Sequence, residues 1–148
     1  MSVFHGVGAA MITPFGNDGV NFDAFGSMIE YLIDGKIDSL IVCGTTGEPA
    51  TMTADERRAA IAFAVEKSAG RVPVIAGCGC NSTAETVANA RAAQSLGADA
   101  LLVVTPYYNK CTQNGLVAHY TAVAEAVDIP VIVYNVPSRT GVNLLPST

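Results

Sequence analysis

Apolar runs and helical stripes alternate along this chain. "GAAMIT", Gly8 to Thr13, is a short apolar run closed by Pro14. Phe22, Phe25, Met28, Ile29, Leu32 and Ile33 then recur at the three- and four-residue spacing of a helix with one buried face. Asn21 is placed to cap that helix and Gly35 to stop it. "SLIVCG", Ser39 to Gly44, predicts the second strand. Thr53 and Glu56 form a capping-box pattern that opens a helix to about Ala69. "VPVIAG", Val72 to Gly77, is the third strand. Ser82 and Glu85 repeat the capping box before a helix to about Leu96. "ALLVVT", Ala100 to Thr105, is the fourth strand. Thr112 precedes a helix whose inner face carries Leu116, Tyr120, Val123 and Val127. "VIVY", Val131 to Tyr134, is the fifth strand.

Strands therefore begin about every 30 residues with a helix between each pair. Short strands that are apolar on both faces belong to parallel sheets covered by helices. Right-handed crossovers leave two architectures, a doubly wound sheet or a (β/α) barrel. The first strand is not followed by G-x-G-x-x-G, and the chain has no G-x-x-x-x-G-K-[ST], which weakens the nucleotide-binding options. The polar, hydroxyl-rich stretches all follow strands: "GTTGE", "GCGCNST", "TPYYN" and "YNVPSRTG". In a barrel those loops share the face where chemistry sits. A complete eightfold barrel takes about 250 residues. The expected fold is α/β, a TIM (β/α)8 barrel of which residues 1–148 supply about the first five βα units, as the N-terminal part of a single domain.

Composition narrows the partners. Half of the residues are hydrophobic and only 14% are charged, which excludes disorder and fits end strands that expect neighbours. The net charge is −5 and the eight Lys and Arg residues are scattered, so no basic stripe points to nucleic acid. No apolar run reaches the roughly 18–20 residues of a membrane span. "MSVFHGVGAAMITPF" has no charged leader before its first strand, so the expected location is cytoplasmic. Four cysteines, Cys43, Cys78, Cys80 and Cys111, are expected as reduced thiols. The Cys78-x-Cys80 pair has neither His5 nor His119 nearby, so no metal and no cofactor are expected.

Three loops carry candidate chemistry. In "GTTGE", Gly44 to Glu48, adjacent amides and the Thr45 and Thr46 hydroxyls can form a nest for a carboxylate or phosphate. The same composition also serves a tight connection whose threonines satisfy local backbone. "TPYYN" sets Tyr107 and Tyr108 just past a strand, where neighbours point opposite ways. One can face a site while the other faces a partner, or both can be interfacial aromatics. "YNVPSRTG" delivers Tyr134, a proton relay, and Arg139, a bidentate carboxylate ligand, to one rim. A core tyrosine and a solvated arginine are the plainer reading. "CNSTAE" is accounted for by a turn at Asn81 and the cap formed by Ser82 and Glu85.

"GTTGE", "TPYYN" and "YNVPSRTG", in this order and spacing, resemble the dihydrodipicolinate synthase family, of the class I pyruvate aldolase superfamily that also holds N-acetylneuraminate lyase. The resemblance runs from "ITPF" to "LLP". Ser138-Arg139-Thr140 favours the synthases over the sialate lyases. It implies a Schiff-base condensation of pyruvate with aspartate semialdehyde in lysine and diaminopimelate biosynthesis. Tyr134 would exchange protons at the imine, with Thr45 linking it to Tyr108, which in the family crosses a dimer interface. Thr46 and Gly47 would hold the pyruvate carboxylate, and Arg139 that of the semialdehyde. A homotetramer, as a dimer of dimers, is the assembly it implies. Feedback by lysine in some members would map to Ala50, Asn81, Glu85 and Tyr107. Ala54 and Arg57 stand where sensitive enzymes often carry histidines.

The resemblance places the imine-forming lysine on a sixth strand, beyond these residues. Lys36, Lys67 and Lys110 are the chain's lysines, and none matches that position. The 148 residues alone are therefore expected to be inactive as an aldolase. Two alternatives stand beside this reading: another pyruvate-dependent lyase of the superfamily, and a non-catalytic half-barrel that associates with itself.

Overall fold

The computed structural model describes residues 4–148. Seven strands and five helices follow one another along them. β1 (Gly8–Ala10) leads into a small antiparallel hairpin of β2 (Phe15–Gly16) and β3 (Gly19–Val20). Then come α1 (Phe22–Asp34), β4 (Ser39–Val42), α2 (Ala54–Ser68), β5 (Val74–Gly77), α3 (Thr83–Ser95), β6 (Ala100–Val104), α4 (Gln113–Ala124), β7 (Val131–Tyr134) and α5 (Pro137–Thr140). β1, β4, β5, β6 and β7 form one parallel sheet in that order. The five strands expected from the apolar runs are these five. The hairpin strands and α5 are two to four residues long, too short for a periodic pattern to signal them.

Caps set the helix starts. Asn21 Oδ1 accepts from Ala24 N–H at 3.0 Å and opens α1. At α2 the capping box is complete: Thr53 N–H donates to Glu56 Oε2 at 2.8 Å, and Glu56 N–H donates to Thr53 Oγ1 at 3.2 Å. At α3 only half of the expected box forms. Glu85 N–H donates to Ser82 Oγ at 3.3 Å, but Ser82 N–H turns to Cys80 Sγ at 3.5 Å, so the Glu85 carboxylate has no cap to close. α4 ends at Ala124, three residues short of Val127, which still packs against the core from the following turn.

The sheet sorts its side chains by parity. Leu101 and Val103 are fully buried under the helices, together with Leu40, Val42, Phe25 and Ile29. Leu102 and Val104 lie on the opposite face. Val104 pairs in register with Tyr134, which brings the tyrosine to the C-terminal end of the sheet. On the outside, α1 packs on α2 and α3 on α4. Glu30 on α1 receives Arg71 bidentately at 2.7 and 2.9 Å and Lys67 at 3.1 Å. These cations hold its carboxyl down to about 2. Among the described residues, no helix is long and apolar enough to cross a membrane.

Candidate active site

A cleft of about 310 Å³ opens at the C-terminal ends of the strands. Its β4 rim is a packed turn. Cys43 leaves the strand with φ 56°, and Thr45–Gly47 form a 3-10 turn closed by Gly47 N–H on Gly44 O at 2.8 Å. The first amides of such a turn have no partner inside it. Glu48, at φ 54°, hands the chain to a second turn, Pro49–Thr51. The buried Thr13 hydroxyl donates to Gly47 O at 2.7 Å and ties the turn to the end of β1. Neighbouring β5 has Gly77 here, because a Cβ at that position would run into the Cys43 carbonyl.

The β7 rim is built from a different kind of contact. Tyr134 ends the strand half-buried, and Pro137 starts the four-residue α5. Gly141 ends it at φ 70°, the left-handed turn that glycine adopts without strain. The buried Thr140 hydroxyl donates to Val142 O at 2.9 Å. Arg139 is exposed on α5 and lines the cleft. Among the described residues, no side-chain hydrogen bond or ion pair engages its guanidinium.

Thr45, Tyr134 and Arg139 thus share the cleft with Tyr107, Ala50 and Arg57. Other sequence candidates lie off it. Tyr108 is 88% exposed with φ 71°, turned away from its neighbour Tyr107. No hydrogen bond among the described residues joins Tyr134, Thr45 and Tyr108. Thr46 is exposed, and Gly47 is buried against Met11 O and Thr13 Oγ1, so what Gly47 offers is backbone. Asn81 accepts from Asn109 Nδ2 at 3.1 Å through its carbonyl, and Glu85 is exposed. Burial raises the pKa of Tyr107, and the nearby Cys80 and Glu85 raise it further.

The structure adds groups that no motif announced. Cys43, Cys78 and Cys80 are buried thiols on the cleft wall, and all four cysteines are free. Burial pushes Cys43 up to about 11 and Cys78 up to about 12, so both stay protonated at neutral pH and are poor nucleophiles. Thr13 acts through a contact 34 positions away, which no local pattern signals. None of the three lysines lines the cleft. Lys67 is held by Glu30, Lys36 follows α1 at φ 64°, and Lys110 lies over Gly141. The cleft brings together the phenols of Tyr107 and Tyr134, the Thr45 hydroxyl, the Glu48 carboxylate and the guanidinium groups of Arg57, Arg58 and Arg139, over apolar walls from Leu102 and Val104. That inventory suits carboxylate binding and proton exchange.

Comparison with known proteins gives the same frame. The 4-hydroxy-tetrahydrodipicolinate synthase of Thermoanaerobacter sp. (strain X514) is 60% identical over all 148 residues, which span 50% of its length. The chain spans about half the length of the curated relatives it matches. The crystal structure of dihydrodipicolinate synthase from Thermotoga maritima superposes with a TM-score of 0.96 at 45% identity, over 99% of this chain and 50% of that one. The chloride-inhibited dihydrodipicolinate synthase of Acinetobacter baumannii, complexed with pyruvate, gives 0.94 at 45% identity, over 96% and 49%. The sheet is the corresponding part of a TIM barrel. Residues 3–148 match the model of the dihydrodipicolinate synthetase family, and the chain belongs to that family.

Proposed function

We propose that these residues form one side of a site that condenses pyruvate with aspartate semialdehyde through a Schiff base. The observation that carries this reading is the meeting of Thr45, Tyr134 and an unpaired Arg139 on one cleft. The pyruvate complex of the Acinetobacter relative supports the first substrate. Thr46 and the backbone of Gly47 hold the ketoacid carboxylate at the turn. Tyr134 donates and accepts the protons that imine formation and enamine formation require, with Thr45 beside it. Tyr108, displayed outward, serves the site of a neighbouring copy in a homotetramer built from dimers. Arg139 takes the carboxylate of the semialdehyde. Lysine feedback, where it operates, uses Ala50, Asn81, Glu85 and Tyr107. The enzyme works in the cytoplasm.

The imine-forming amine comes from outside residues 1–148, because Lys36, Lys67 and Lys110 all lie off the cleft. A Schiff-base lysine needs a desolvated position; Lys36 and Lys110 are exposed and Lys67 is paired with Glu30. The test is intact mass after borohydride reduction with pyruvate. The 15.3 kDa chain is expected to show no adduct. Joined to the remaining half of a family barrel, it is expected to trap pyruvate. An adduct on Lys36, Lys67 or Lys110 of the short chain would overturn the assignment.

A further inference from the structure

The loop that carries Arg139 is closed by two side-chain carboxamides, and neither belongs to the chemistry assigned above. Asn135 directly follows Tyr134. Its Nδ2 donates to Leu144 O at 3.2 Å and to Asn143 Oδ1 at 2.9 Å, while its Oδ1 accepts from Leu144 N–H at 3.0 Å. One carboxamide therefore grips both backbone groups of Leu144. From the other side comes Gln113, the first residue of α4. Its Nε2 donates to Asn143 O at 2.8 Å, and its Oε1 accepts from Leu145 N–H at 3.1 Å and from the Thr148 hydroxyl at 2.6 Å. The two residues hold Asn143–Leu145 between the end of β7 and the start of α4. Residues 136–142, with Arg139 near their middle, span the gap as a closed loop.

We infer that Asn135 and Gln113 are positioning residues that fix the Arg139 guanidinium relative to the Tyr134 phenol. This rests on the reading of Arg139 as a carboxylate ligand. Arg139 has no side-chain partner of its own among the described residues, so its place depends on how its loop is anchored. Within the loop the Thr140 hydroxyl orders only one turn. The outer bonds set where that turn sits, and they start one residue from Tyr134. The Asn135 carboxamide donates and accepts in one plane toward the Leu144 peptide group, which neither an ionised acid nor an apolar side chain does. Closing the loop also removes the freedom that a ligand would otherwise have to quench on binding.

The experiment uses the isotope-labelled protein, with succinate as a carboxylate probe. The Arg139 Nε–Hε resonance is followed during titration, and the Thr45 and Thr46 amides report on the opposite rim. In Asn135→Ala the succinate response at Arg139 is expected to weaken about tenfold, as loss of several hydrogen bonds implies. The Thr45 and Thr46 amides are expected to stay in place. Gln113→Ala is expected to weaken the response in the same sense and is read alone if Asn135→Ala does not fold. An unchanged response, or displacement of the Thr45 and Thr46 amides as large as that of α5, overturns the positioning role. Absence of any Arg139 response in the wild-type protein overturns the carboxylate role and the positioning role with it. That failure shows before any substitution is made, so it is told apart from failure of the clamp.

Discussion

At the β4 end of the cleft the backbone is packed; at the β7 end it is tied. The turn after β4 rests on buried contacts: Thr13 on Gly47 O, Gly77 against the Cys43 carbonyl, and two residues in the left-handed region at Cys43 and Glu48. Backbone conformations of that kind persist only where the surroundings determine them. The loop after β7 has one buried turn, at Thr140 and Val142, and is otherwise held by exposed amide bonds from Asn135 and Gln113. A nest of amides that is to hold a carboxylate, as proposed for the β4 turn, needs fixed backbone geometry, and packing supplies it. A guanidinium proposed to take a carboxylate can adjust its reach through its own torsions, so surface hydrogen bonds are enough to hold its loop.

That contrast can be broken most severely at Gly77. Replacing it with Ala drives a methyl into the Cys43 carbonyl and is expected to cost about 3 kcal/mol or more, read as a lowered denaturation midpoint. Thr13→Val keeps the shape and removes the buried bond to Gly47 O. A loss of about 1–3 kcal/mol is expected in urea unfolding, because the carbonyl is left unpaired. On the tied side, Gln113→Ala exposes its partners to water rather than burying them unpaired. Its expected cost is about 1 kcal/mol or less, and a loss equal to that of Thr13→Val would erase the distinction.

The last effect vanishes at neutral pH. His119 on α4 is buried, with Nδ1 3.0 Å from Thr83 Oγ1 and Nε2 unpartnered, and burial lowers its pKa. A base with a depressed folded pKa gives full stability above its unfolded value of about 6.5 and loses it as pH falls toward the folded value. Stability is therefore expected to fall below about pH 6.5, and His119→Gln to flatten that part of the profile. An unchanged slope in the variant would place the proton uptake elsewhere.

Much of the frame was legible along the chain because it rests on local signals. Asn21, Thr53, Ser82 and Thr112 each cap the helix expected of them. The five apolar runs each became a sheet strand. One shortfall has a physical cause. Ser82 N–H found a sulfur acceptor at Cys80 that the capping pattern does not contain. β1 ends at Ala10, three residues before the apolar run does, although Met11 N–H still donates to Ile41 O at 3.0 Å. At the cleft, motif order delivered Thr45, Tyr134 and Arg139. Thr13 was invisible because it acts through a neighbour brought in by the sheet, whereas the cysteines, expected as reduced thiols, are free and three of them wall the cleft.

The strand order has a consequence for where the two rims come from. Each strand of the parallel sheet pairs with the one made just before it, from β1 through β7. Within these five strands each βα unit adds to the edge left by the strand before it, while the outer edges of β1 and β7 stay open for the rest of a barrel. Strand order in the sheet therefore follows the order of synthesis, with every pairing reaching back over one helix. The two rims of the cleft are thus drawn from opposite ends of that order, the β4 turn from its second strand and the arginine loop from its fifth.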